Sequence, residues 1–277
     1  MSKADGDRPK ASRIPTAKRR YELSLVVQIV GYRPRVDEPA RLLVSHDGDI
    51  QAEPLEPGVE LTYTLEDRHC AGTIDDGTHI SCDEPTAPYC STHTDRWPCA
   101  RCQGECDLPL ASCREEHAIY LAAFAPAEFK VGVTRSWRLD TRLREQGADL
   151  AAHIRIVENG RIARQIEADI ATSIGDSVRV DRKRRGLHRT VDTDAWETLL
   201  DDFEVLDRFD FEYGLDLADR PVPETLLSGT VRGTKGRMLV VERNKTAYGV
   251  DMRDLVGYEI SQRETDRNLQ ASLGSFD

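Results

Sequence analysis

"HAIYLAAFAPAEFKVGVTRSWRLDTRLREQG", residues 117–147, decides the fold. "AIYLAAF" and "FKVGVT" are rich in branched and aromatic residues and read as two strands joined by a short proline-bearing turn. Arg138 to Gln146 then fits a helix, stopped by Gly147. A strand, a strand and an arginine-bearing helix follow directly behind a cluster of cysteines.

The pattern continues outward. "AAHIRIVE" (151–158) reads as a third strand. "GRIARQIEADIATSIG" (160–175) sets Ile162, Ile166, Ile170 and Ile174 at four-residue spacing, a helix with one buried stripe. "DTDAWETLLDDFEVL" (192–206) reads as another amphipathic helix with an aspartate near its start. Upstream, "YELSLVVQIVGYR", "RLLVS" and "VELTYTLED" read as strands between proline-marked connections. Downstream, "LLSGTVRG", "GRMLVVER", "KTAYGVDM" and "VGYEISQ" are four strands separated by glycine-containing turns, a pattern that suits a small β-barrel.

The expected class is α+β with β-rich ends. The expected divisions are a disordered basic tail (1–20), a β-rich N-terminal part (21–66), a zinc-binding module (67–116) and a central α/β domain (117–212). A linker (213–223), a small barrel-like part (224–262) and a flexible tail (263–277) complete the chain of 277 residues.

The net charge is −11, with seven lysines against 31 arginines and 28 aspartates against 21 glutamates. Weakly hydrated guanidinium and strongly hydrated carboxylate suit solubility in concentrated salt, and codon bias is the plainer alternative to this halophilic reading. No run of about 18 apolar residues is present to span a membrane, nor does residues 1–22 hold an apolar stretch of signal-peptide type. A cytoplasmic location is therefore expected. Thiols stay reduced there, which favours metal ligation over disulfides.

All seven cysteines lie between residues 70 and 113. Cys70, Cys82, Cys90 and His93 supply one set of four ligands. Cys99, Cys102, Cys106 and Cys113 supply another. Structural zinc takes four thiolate or imidazole ligands, so eight satisfy two ions. A cross-braced pairing uses the same residues, and His69, His79 and His117 stand in reserve. An iron–sulfur cluster is the rival, but a Cys3His set suits zinc better. A closed zinc site folds its segment and does no chemistry.

"AIY" at 118–120, "KVG" at 130–132 and the arginine helix together resemble a GIY-YIG nuclease core over about 118–175. The cysteine cluster with "YLAAF…FKVGVTR", an "R-x-x-x-QGA" run and a glutamate-bearing helix also resembles an uncharacterised domain-of-unknown-function family, number 2797 in its series, over most of 60–210. The nuclease resemblance implies Tyr120 orienting or deprotonating a water, Arg142 facing the phosphate and Glu167 holding one magnesium. Cleavage of a phosphodiester needs a nucleophilic water, a base near it, a divalent ion and cations for the developing charge. Gly132 would let the backbone approach closely, and Lys130, Arg135 and Arg138 would join the phosphate contacts. Ala118, Lys130 and Gln146 depart from the nuclease pattern. Each of these residues also has a plain structural reading: Tyr120 as cross-strand packing, Gly132 as a bulge, Arg142 and Glu167 as helix surface.

"VRVDRKRRGLHR" (178–189) holds six basic residues in twelve and reads as a loop, solvated or phosphate-contacting through Arg182, Lys183, Arg184 and Arg185. Tyr248 and Tyr258 belong either to base stacking or to core packing. No Walker loop, dinucleotide fingerprint after a strand, or serine-hydrolase elbow is found. Two functions follow as expectations. One is a nucleic-acid-binding protein, either a magnesium-dependent nuclease or a descendant without cleavage. The other is a noncatalytic zinc-stabilised scaffold or adaptor for a protein or ribonucleoprotein partner.

Overall fold

The computed structural model describes residues 27–94, 104, 111–263, 265, 267 and 269. The expected tails at 1–20 and 263–277 lie almost wholly outside them. The fold is mixed α and β and strand-rich. Six strands come first: β1 Val27–Arg33, β2 Arg41–His46, β3 Asp49–Pro54, β4 Glu60–Arg68, β5 Thr73–Asp75 and β6 Thr78–Ile80. The central unit runs β7 His117–Phe124, β8 Glu128–Arg135, α1 Leu139–Gln146, β9 Leu150–Val157, α2 Gly160–Ile174, α3 Val180–Gly186, α4 Thr193–Leu200 and β10 Asp207–Asp210. The chain then forms β11 Val222–Pro223, β12 Leu227–Lys235, β13 Met238–Arg243, β14 Thr246–Asp251, α5 Met252–Leu255 and β15 Tyr258–Ser261.

The strands make two sheets. The smaller has the order β10-β9-β7-β8 and is antiparallel throughout. β7 is buried on both faces, and its alternation sorts two cores. Ala118, Tyr120, Ala122 and Phe124 pack with Leu139 and Leu143 of α1 and with Phe211 and Tyr213. Ile119, Leu121 and Ala123 pack with Ala163 of α2 and with Trp196 and Leu200 of α4. Helices therefore cover both faces. Ile166, Ile170 and Ile174 join the second core as the four-residue spacing implies, but Ile162 at the helix start is 49% exposed.

The larger sheet has the order β11-β14-β13-β12-β4-β15-β1-β2-β3-β6-β5. This corrects the expected C-terminal barrel. All four C-terminal strands exist, but they do not close on themselves. β12 pairs with β4, and β15 inserts between β4 and β1. An unpaired edge must be covered, and here strands distant in sequence cover it. Ile29, Leu42 and Leu61 consequently share one core with Leu227, Leu239 and Val250. Tyr248 lies in that core, 3% exposed, and the Arg68 guanidinium sits 5.2 Å over the ring of Tyr258.

The basic run at 178–189 is corrected as well, because Val180–Gly186 is a helix and not a loop. Its cations diverge. Arg182 pairs with Glu128, Arg184 pairs with Asp181, Arg185 is exposed, and Lys183 turns inward.

The sheets meet at two turns. Gly147, left-handed at φ +69°, ends α1, and Gly236 at φ +54° links β12 to β13. A Cβ on Gly147 would lie 2.9 Å from the Gly236 nitrogen, so only glycine permits this backbone contact.

Candidate functional site

A cavity of about 650 Å³ opens at the β8 edge of the smaller sheet. Its floor is Tyr120, Lys130 and Gly132. α1 contributes Arg142 and Gln146, Arg138 stands just before that helix, and α2 contributes Arg161, Arg164 and Glu167. Arg135, Asp176, Cys113 and His117 complete the rim. Tyr120, Arg142 and Glu167, which the sequence set on a strand and two helices, thus line one cleft. So do the four expected phosphate contacts Lys130, Gly132, Arg135 and Arg138.

Tyr120 is 1% exposed, and its hydroxyl accepts a hydrogen bond from Gln146 Nε2 at 2.6 Å. Burial raises its pKa, while the nearby Arg142 guanidinium and the Gln146 bond oppose the rise. Gln146, one of the departures from the nuclease pattern, is therefore the tyrosine's partner. Lys130 Nζ has no hydrogen-bond partner among the described residues. Burial holds its pKa down to about 8, helped by Arg142 and Arg164 and opposed by Glu167 and Asp176.

The arginines are held in place. Arg138 Nη2 and Arg142 Nη1 share Glu145 at 2.9 and 3.3 Å. Arg135 pairs with Glu115 at 3.4 Å, and Arg161 Nε donates to the Gly104 carbonyl at 3.2 Å. Glu167 is paired with Arg164 at 2.7 Å. Six basic side chains on the cavity, against Glu167 and Asp176 on its wall and Glu145 and Glu115 paired behind it, leave a net positive cleft in a chain of net charge −11.

Several of these residues escape a first reading of the sequence. Arg164, three residues before Glu167, could have been found by the i,i+3 rule. Trp137 is 70% exposed, with Arg135 and Arg138 at 4.8 and 5.9 Å from its ring and its Nε1 bonded to Glu115. Its place between two cavity arginines was the available signal.

The second site is Cys70, Cys82, Cys90 and His93, whose ligand atoms all lie within 4.8 Å of one another. Cys70 follows β4, Cys82 follows the β5–β6 hairpin, and Cys90 and His93 share one turn closed by His93 N–H donating to Cys90 O at 3.1 Å. His93 Nδ1 stands 3.4 and 3.3 Å from the sulfurs of Cys70 and Cys90. Tetrahedral zinc, with Zn–S near 2.3 Å and Zn–N near 2.0 Å, sets that edge at about 3.5 Å. The set could hold a metal ion and fits zinc.

Backbone amides of Gly72 and Cys90 donate to Cys70 Sγ at 3.4 and 3.2 Å, the support a thiolate needs. Gly72 permits this at φ +61°, where a Cβ would collide with the Ile80 carbonyl at 2.0 Å. The reserve histidines serve otherwise. His69 Nδ1 contacts Cys82 O at 2.9 Å and Nε2 contacts Glu259, while His79 bridges Ser45 and Ala71 O. His117 Nδ1 bonds Glu115 O at 2.7 Å. Of the other ligand set, Cys99, Cys102 and Cys106 lie outside the described residues, and Cys113 lies on the cavity rim.

No helix among the described residues is long and apolar enough to cross a membrane. Neither the curated proteins nor the solved structures hold a match to this chain. A family model, described as "Protein of unknown function (DUF2797)", matches residues 75–213, which take in Cys82, Cys90 and His93 of the metal cluster and the smaller sheet. The chain belongs to that family.

Proposed function

We propose that the β8-edge cavity binds the phosphate backbone of a nucleic acid, and that zinc held by Cys70, Cys82, Cys90 and His93 braces the fold beside it. The observation that carries this reading is the meeting of Tyr120, Arg142 and Glu167 with Lys130, Arg138 and Arg164 in one positive cleft. Guanidinium forks suit phosphate oxygens bidentately. Exposed Trp137 at the lip offers a stacking face for a base.

In its finer form the site is GIY-YIG-like and cleaves. Gln146 donates to the Tyr120 oxygen, so the tyrosine's own hydrogen remains for a water or phosphate oxygen. Arg142 neutralises charge developing on the phosphate. Glu167 is the carboxylate to hold magnesium, which when bound supplies charge neutralisation and a more acidic water. The Arg164–Glu167 pair at 2.7 Å favours a second reading, binding without cleavage, because the carboxylate is already engaged.

The test is binding and divalent-dependent cleavage of single-stranded DNA and RNA by wild type, Tyr120→Phe and Glu167→Gln. Cleavage lost in both variants with binding retained supports the enzyme. Binding without cleavage in wild type supports the second reading. No binding to either polymer overturns both and leaves a zinc-stabilised adaptor for a protein or ribonucleoprotein partner.

A further inference from the structure

A second cavity, of about 530 Å³, lies where the two sheets meet. Arg142 and Gln146 line it as well as the first, so the two adjoin through the last turns of α1. Its other cations are Lys183, Lys235, Arg237 and Arg253, none of which lines the first cavity. We propose that this second cavity is a binding site for the phosphate group of a nucleotide.

The cations are unequally matched. Asp149 holds Lys235 at 2.5 Å and Asp251 holds Arg237 at 2.7 Å. Glu145, the one acid on the wall, is shared by Arg138 and Arg142. Lys183 and Arg253 have no carboxylate partner among the described residues. Lys183 Nζ sits 3.8 Å from the ring centroid of Phe124 and donates to Gln146 O at 2.9 Å. An ammonium has three donors, so with one on Gln146 O and one turned to the ring, one is left for a ligand. Arg237 Nε is a buried donor without a partner among the described residues, and such a donor calls for an acceptor.

Burial, then Lys130, Arg237, Arg142 and Lys235, hold the Lys183 pKa down to about 7. A bound dianion would reverse that repulsion. A phosphate monoester offers three acceptor oxygens and a second charge, where a carboxylate offers two oxygens and one charge. Val178, Leu187 and Met238 add apolar lining beside these cations, suited to a base.

The phosphate has two sources, a free mononucleotide or the next unit of a strand that also enters the first cavity. Calorimetric titration of the full chain with adenosine 5′-monophosphate, adenosine and a single-stranded hexanucleotide separates them. Monophosphate binding without adenosine binding, weakened at least about tenfold by both Lys183→Met and Arg253→Gln, supports the site with a free nucleotide as its source. Tighter hexanucleotide binding with the same loss in both variants supports it with a strand as the source. Arg161→Ala, whose side chain lines the first cavity and not the second, weakens strand binding and spares the monophosphate, so failure there bears on the first cavity alone. Absence of binding by every ligand, or wild-type affinity in both second-cavity variants, overturns the proposal.

Discussion

The ring of Tyr120 lies across Gly132, its directly paired residue on the neighbouring strand, so closely that a Cβ there would stand 2.5 Å from the phenol oxygen. The glycine is what lets the tyrosine lie flat on the sheet and reach Gln146. Gly132→Ala should overpack this spot and cost about 1–3 kcal/mol, read as a lower Tm. The loss should shrink when Tyr120→Leu is added. An unchanged Tm for the single variant would show that the ring moves aside freely.

The metal cluster predicts a stoichiometric difference. Cys90→Ser should carry one zinc fewer per chain than wild type, by elemental analysis of the purified proteins. Its melting should also become insensitive to the chelation of that ion, because a structural zinc contributes directly to folding. Equal metal content in the two proteins would remove Cys90 from the ligand set.

Lys183 predicts a pH dependence of stability. Its folded pKa is about 7, below the ordinary lysine value. Above pH 7 the unfolded chain binds the proton and the folded chain does not. Stability therefore rises with pH from about 7 toward 10 as far as this group is concerned, and the penalty for charging it is fully present below 7. Lys183→Met should be more stable than wild type at pH 6 and should lose that advantage toward pH 10, measured by denaturant unfolding. A constant difference across the range would contradict the buried-ammonium reading.

Trp137 predicts a binding loss without a folding loss. It is 70% exposed, so Trp137→Ala leaves no cavity. Stacking on one base is worth about 1–3 kcal/mol, so single-stranded affinity should fall about tenfold with Tm unchanged. Affinity equal to wild type would leave the ring only as a prop for Arg135 and Arg138.

The central unit was legible because its determinants are local. The apolar run of β7, the stop at Gly147 and the aspartate at the start of α4 each act within a few residues. The Cys3His set was legible for the same reason, through its short Cys90–His93 turn. β3 was missed although Asp47 and Gly48, both at positive φ, are a hairpin signal. The union of the N- and C-terminal strands was not legible. Nothing in residues 60–68 names residues 227–230 as their partner, since pairing across that span is decided by the shared core. The fate of the basic run escaped for a similar reason. Which side of α3 Lys183 and Arg182 each occupy, and what packs there, sends one inward and the other to Glu128.

The central claim is that the β8-edge cavity receives a phosphate backbone, and Lys130 tests it most directly. Its ammonium has no ion-pair partner among the described residues, so Lys130→Met strands no carboxylate. The measurement is single-stranded oligonucleotide affinity across a salt series for wild type and Lys130→Met. The account predicts affinity down about tenfold near pH 7 and a slope of log K against log salt shallower by about 0.7, the loss of one phosphate contact. Identical affinities and slopes would contradict it.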